Sequence, residues 1–129
     1  MKSIVFVAAA LAATAPSSGI AATSRSDQML KLAPETRLEQ RCNARAMGAI
    51  GREHRSFKPD EFVAYAFGET VIRGAQIKAP GGALRSAGHW YHVSYVCETS
   101  ADGMEIRSFS YALGDMVPRK DWDAHFLVP

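Results

Sequence analysis

The apolar residues between Pro34 and Arg52 recur at intervals of three and four, the spacing of one face of an α-helix. This face consists of Leu38, Cys42, Ala46, Ala49 and Ile50. Pro34 stands where the helix would begin, and Glu35 places a negative charge in its first turn. The sequence therefore predicts an amphipathic helix over residues 34–52, and Pro59 prevents its continuation.

Beyond Pro59 the pattern changes to the alternation that is typical of β-strands. We expect strands over residues 61–67, 71–79, 89–97 and 104–113, of which the second has the weakest pattern. Pro80-Gly81-Gly82 is predicted to turn the chain, and Asp102-Gly103 to lie in a hairpin between the last two strands. Residues 118–124 predict a short helical turn in which Trp122 covers the core.

The N-terminus has a third pattern, in which Lys2 is followed by an uncharged apolar run from Ile4 to Ala13 and then by small residues. This order is typical of a secretory signal peptide, and the run is shorter than the roughly 20 apolar residues that span a bilayer. The alternative, a helix of the folded core, would need a polar face that residues 4–13 do not have. We expect a signal peptide over residues 1–22, cleaved after Ala21 or Ala22.

The part of the chain that follows the predicted signal peptide divides into two expected segments. Residues 23–33 are predicted to be a linker and docking segment, and residues 34–129 a single α+β domain. The protein is expected to be periplasmic or secreted, and cleavage leaves it without a stable membrane anchor.

Two cysteines, Cys42 and Cys97, lie in the part of the chain that meets an oxidising compartment. We predict one disulfide between them; the alternative is a reactive thiol pair, although such pairs usually have the Cys-x-x-Cys spacing. Cys42 lies on the apolar helix face, and Cys97 shares a strand face with Val93 and Tyr95. The two meet if the helix packs on the sheet, so the predicted fold is α+β: one amphipathic helix packed on an antiparallel sheet of about four strands, a short C-terminal helical turn and one disulfide.

Charge and spacing argue against several function classes. The chain has 15 basic and 13 acidic residues, and Lys2 leaves with the signal peptide, so no nucleic-acid partner is expected. His89 and His92 are three apart on a strand and point to opposite faces, so no metal site is expected. The sequence contains neither a Gly-x-Ser-x-Gly motif nor a Walker lysine, and we predict no cofactor and no catalytic residues.

A basic ridge runs beside the apolar face of the helix. Arg37, Arg41 and Arg45 recur every four residues, and Arg52 lies further along. Glu35 and Glu39 offer local partners, so one interpretation is an ordinary solvated surface. The other is an anion-binding ridge that contacts an envelope component, with help from residues such as Arg73, Arg85 and Arg107.

Several segments, taken in order, resemble the DUF930 family of exported alphaproteobacterial proteins. They are the helix segment 32–42, Phe62-Val63-Ala64-Tyr65-Ala66, Trp90-Tyr91 leading to Cys97, Ser108-Phe109-Ser110-Tyr111, and Pro118 with Trp122. The resemblance covers the chain from about Leu30 to the end. It implies an exported or membrane-attached protein of a family without a determined function, and it carries over no catalytic residues.

We therefore expect a non-catalytic binding or interaction module of the cell envelope, whose partner is an envelope protein or glycan. One alternative is a secreted enzyme inhibitor that presents a hairpin tip such as residues 100–103. Another is an enzyme with a site that no motif marks. Exposed aromatic residues around Trp90 and His92 would favour binding, and a pocket with convergent polar groups would favour an enzyme.

Overall fold

The computed structural model describes residues 19–129 of the chain, and the side chains from residue 25 onward. Its helices are α1 (Gly19–Leu30) and α2 (Pro34–Glu53), and two 3-10 turns, Arg119–Asp121 and Asp123–His125, follow the last strand. The strands are β1 (Pro59–Val63), β2 (Val71–Arg73), β3 (Gln76–Ser86), β4 (His89–Thr99) and β5 (Ile106–Met116). One main helix, a sheet and a C-terminal helical turn confirm the predicted α+β class.

The five strands form one antiparallel sheet. Consecutive hairpins join β3, β4 and β5, while β1 and β2 pair with opposite ends of the other side of β3. Tyr95 of β4 lies opposite Tyr111 of β5. One edge of the sheet is therefore made of two short strands, and the other is the 11-residue strand β5.

Helix α2 packs across one face of the sheet, because this contact buries the apolar side of the helix away from water. Leu38, Cys42, Ala46 and Ile50 are buried there against β3 and β4. A hydrogen bond also joins the helix to the sheet, because the Tyr95 hydroxyl donates to Asn43 Oδ1 over 2.7 Å. Within the residues that the structure describes, it is the one hydrogen bond between two buried side chains.

The Cys42–Cys97 disulfide crosses the interface between α2 and β4. Both cysteines have no exposed surface, and their Cα atoms are 6.0 Å apart. This confirms the predicted pairing, and with it the expectation that the helix lies on the sheet face that carries Cys97.

A second, smaller core lies on the opposite face of the sheet. Trp90 has no exposed surface and packs with Val117, Trp122 and Leu127 from the C-terminal segment. The Trp90 indole N–H donates to the carbonyl of Val128 over 2.8 Å. The C-terminal turn therefore covers the core as predicted, and Trp90 does not belong to an exposed aromatic surface.

The structure corrects several predicted strand bounds and one predicted turn, and it moves the last strand from residues 104–113 to Ile106–Met116. The strand expected over residues 61–67 ends at Val63, and the segment 71–79 is a hairpin, β2 to β3, that turns at Gly74. Pro80-Gly81-Gly82 does not turn the chain but forms a bulge inside β3.

Close backbone approach explains the bulge. A Cβ on Gly81 would lie 2.5 Å from the carbonyl carbon of Phe67, so only glycine fits there. The chain turns instead at Ala87 and Gly88, whose φ angles of 49° and 77° are those of a two-residue hairpin.

At the N-terminus, helix α1 covers the last four residues of the predicted signal peptide and most of the predicted linker and docking segment, residues 23–33. Most of the predicted signal peptide, residues 1–18, lies outside the described residues. Within the described residues, no helix combines the length and the hydropathy needed to cross a membrane.

Candidate functional site

A groove lies between the outer side of α2 and the edge strand β5. It consists of two adjoining concavities of about 320 and 610 Å³, which share Arg45, Arg52 and Ile106. Its helical wall includes Arg41, Arg45, Gly48 and Arg52, and its strand wall is made of residues 106–111. Because Arg107 belongs to the strand wall, four arginines line it, and we call it the arginine groove.

The helical repeat places the arginines on one side of α2. Arg41, Arg45 and Arg52 are separated by four and seven residues, which brings them to the same face. Gly48 lies among them, and a Cβ at this position would be 3.0 Å from Nη1 of Arg52. The missing side chain lets the Arg52 guanidinium lie back over the helix, although glycine costs about 1 kcal/mol relative to alanine in a helix interior.

The arginine groove has an excess of positive charge. Among the described residues that line it, Glu53 is the one carboxylate, against four guanidinium groups. Within the described part of the chain, Arg45 and Arg52 form no ion pair, and Arg107 lies 3.6 Å from the exposed carboxylate of Glu105. Arg41 Nε donates to the carbonyl of Met104, which positions its guanidinium without neutralising it.

A hydroxyl group accompanies this charge on the strand wall. The Tyr111 hydroxyl donates to Glu53 Oε2 and lies 3.3 Å from His54 Nε2. The hydrogen bond to Glu53 raises the pKa of Tyr111 to about 12. The phenol is therefore protonated at neutral pH and is a weaker acid than an ordinary tyrosine.

Arg37, the first residue of the predicted ridge, does not line the groove. Its guanidinium donates to four backbone carbonyls, those of Met29, Leu30, Leu32 and Asp102. Two of these carbonyls, those of Met29 and Leu30, belong to the last two residues of α1, whose carbonyls lack partners within the helix. Arg37 thus fastens the N-terminal segment and the β4–β5 turn to α2.

The structure separates the other arginines that the sequence singled out. Arg107 joins Arg41 and Arg45 at the groove, whereas Arg73 lies on β2. Arg85 pairs with Asp60 and Glu61 at 2.9 and 3.0 Å on the side of β1. The hydrogen bond to Asp60 raises the pKa of Arg85. Sequence reasoning did not find the Tyr111–Glu53 contact, whose partners are 58 residues apart.

The hairpin tip at residues 100–103 packs against the domain and does not project from it. Asp102 Oδ1 accepts hydrogen bonds from Ser100 Oγ and from the Met104 amide, at 2.6 and 3.0 Å. The Ser100 bond is the main cause of a lowered pKa of Asp102. Gly103 is buried beside Arg37.

Two of the four histidines lie close together in the fold. His92 and His125 both pack on the ring of Phe67, with centroid distances of 4.3 and 4.0 Å, on the sheet face opposite α2. Within the described residues, no three side chains of His, Cys, Asp or Glu are placed to hold one metal ion.

The sequence model of the family described as Domain of Unknown Function (DUF930) matches residues 29–127. This match covers most of the chain, so the chain belongs to the DUF930 family. The comparisons with curated proteins and with solved structures gave no match.

Proposed function

We propose that this DUF930 domain is a non-catalytic binding module of the cell envelope, and that its arginine groove binds a glycan carrying carboxylate or phosphate groups. The main support for the proposal is the convergence of Arg45, Arg52 and Arg107 on one groove. In the part of the chain from residue 25 onward, Glu53 is the one carboxylate that lines this groove. Guanidinium groups bind carboxylates and phosphates in a bidentate geometry that lysine cannot reproduce.

The shape of the groove supports an extended ligand. Arg41 and Arg52 are 11 positions apart along the helix, about 16 Å at the rise of an α-helix. This length fits several sugar units, and the Tyr111 hydroxyl on the opposite wall can accept a hydrogen bond from a sugar hydroxyl.

Two features favour binding over catalysis. The raised pKa of Tyr111 makes its hydroxyl a weaker proton donor than an ordinary tyrosine, which disfavours general-acid chemistry at neutral pH. The groove is also open to solvent along its length, whereas catalytic charge stabilisation works best where water is excluded. Location in the envelope rests on the predicted signal peptide.

The test measures binding of polygalacturonate oligomers by calorimetry at several salt concentrations, with neutral dextran oligomers and anionic lipid vesicles as further ligands. The variant is Arg45→Gln with Arg52→Gln. The control is Arg73→Gln with Lys78→Gln, which removes the same charge from exposed positions on β2 and β3.

We expect polygalacturonate to bind more weakly as salt rises, and the groove variant to lose about tenfold or more in affinity while the control stays close to the parent protein. Equal losses in both variants would show nonspecific attraction to positive charge. Binding to lipid vesicles and not to the oligomers would replace the glycan with a lipid headgroup.

Gly48→Ala provides a finer test at the same site. The added methyl group would meet the Arg52 guanidinium and displace it, while the helix gains up to about 1 kcal/mol in stability. A protein that is more stable but binds the oligomers less well is the expected result. Unchanged affinity would show that the position of Arg52 does not matter for binding.

A further inference from the structure

The two edges of the sheet differ in how they are protected against pairing with another chain. On one edge, β1 has five residues and includes Pro59 and two acidic residues, and β2 has three residues and includes Arg73. Short strands, proline and charge are the features that prevent edge strands from pairing. This edge is protected.

The other edge, β5, lacks these features in its central part. From Ser108 to Leu113 its register with β4 is unbroken, and the segment contains neither a charged residue nor proline. Irregularities in the pairing lie at its two ends, near Arg107 and near Gly114. Phe109, Tyr111 and Leu113 are only half-buried within one copy of the chain. The central part of β5 is therefore suited to pairing with another strand.

We propose that a second copy of this chain pairs with β5 as an antiparallel strand, with Tyr111 opposite Tyr111 of the second copy. In this register Phe109 lies opposite Leu113, and Ser110 lies opposite Ala112. Apolar side chains then meet apolar side chains on the face of α2, and small residues meet small residues on the other face.

The charges at the ends of β5 favour this register over the two neighbouring ones. With the two copies of Tyr111 opposite each other, Arg107 lies opposite Asp115 of the second copy, and the symmetry produces this pair twice. A shift by two residues in one direction brings Glu105 opposite Asp115, which repel each other. A shift in the other direction leaves Arg107 opposite Val117. The self-complementary sequence thus favours a second copy over an unrelated strand.

The paired arrangement has a direct geometric consequence. Continuous antiparallel pairing keeps the same face of both sheets on one side, so both α2 helices lie on that side. Each arginine groove is bounded by β5, so the two grooves meet along the shared strands. Dimer formation itself requires no ligand, but it pairs Arg107, one of the groove arginines, with Asp115 of the second copy.

The experiment is sedimentation equilibrium of the protein expressed from its full sequence and purified, over a wide range of concentrations. The variants are Arg107→Asp, Asp115→Arg and the double variant that exchanges the two charges. Arg73→Asp and Asp123→Arg are controls, because they make the same charge changes at exposed positions away from β5. Circular dichroism verifies that every variant is folded.

We expect a monomer–dimer equilibrium in the parent protein. Each single reversal should raise the dissociation constant about fivefold or more, and the double variant should restore it to within about twofold. A protein that is monomeric at all concentrations would overturn the proposal. A dimer that neither single reversal weakens, or that the double exchange fails to restore, would overturn it as well, because the copies would then meet elsewhere or in another register.

Ser110→Lys provides an independent test that leaves both charges in place. A lysine on this exposed edge position should weaken the dimer in the same direction, since edge lysines oppose strand pairing. A dimer that tolerates this substitution would contradict the pairing of β5.

Discussion

Removal of the disulfide should cost the domain a large part of its stability. Cys42 and Cys97 are 55 residues apart, and in the chain-entropy account a cross-link over a loop of that length destabilises the unfolded state by about 4 kcal/mol. Domains of this size have unfolding free energies of roughly 5–15 kcal/mol. Both sulfur atoms are buried between α2 and β4, so Cys42→Ala with Cys97→Ala also leaves a void there.

The assay is equilibrium unfolding in urea. We expect the double-alanine variant to lose at least about 4 kcal/mol of unfolding free energy, because the void adds to the entropic cost. Its unfolding free energy should also depend more steeply on urea, because its unfolded chain exposes more surface. The parent protein unfolded in the presence of a reductant is the control that keeps both sulfur atoms. A loss below about 1 kcal/mol in the reduced protein would refute the chain-entropy argument and leave packing as the source of stability.

Three further predictions concern single contacts. Gly81→Ala should destabilise the domain by about 1–3 kcal/mol in thermal unfolding, because its Cβ meets the Phe67 backbone. The control Gly68→Ala, whose Cβ would have its nearest atoms at 3.9 Å, should cost much less, and equal losses would contradict the close approach. Asn43→Ala should cost about 1–3 kcal/mol in urea unfolding, since it leaves the buried Tyr95 hydroxyl without its acceptor, and Tyr95→Phe in the same background should recover part of that loss. In a spectrophotometric titration, Glu53→Gln should lower the pKa of Tyr111 from about 12 toward its ordinary value of 10.0, with Tyr111→Phe identifying the signal. Because the pKa of Tyr111 is raised in the folded state, its contribution to stability is present below pH 10.0 and is lost as the pH rises through about 12; a titration that Glu53→Gln leaves unchanged would contradict this assignment.

The main helix and its disulfide were predictable because their signals are local. The three-and-four spacing of Leu38, Cys42 and Ala46 determines which side of α2 is buried, and strand alternation places Cys97 on the facing side of β4. Once each cysteine is assigned to a buried face, only one packing of helix on sheet allows them to meet.

The predictions for Pro80-Gly81-Gly82 and for Arg37 were wrong because the same local sequence pattern is compatible with two structures. Glycine beside proline is common in turns and also in bulges, and the choice at Gly81 depends on the segment Phe67–Gly68, which approaches from another part of the fold. The four-residue spacing predicted that Arg37 would act with Arg41, but its guanidinium binds carbonyls up to 65 residues away. No sequence pattern reports contacts of that kind.

The contacts of Arg37 also determine how the domain would respond to mechanical load. A force that pulls on the N-terminal segment would first break the three hydrogen bonds of this guanidinium to that segment. It would then unwind α2 from Pro34 and break the fourth bond, to Asp102. Unwinding would stop at Cys42, because the covalent bond to Cys97 transfers the force directly to β4. The chain between the two cysteines, which contains β1, β2 and β3, would carry no tension. A tethered copy of this domain would therefore yield by a short, fixed extension and keep most of its sheet intact.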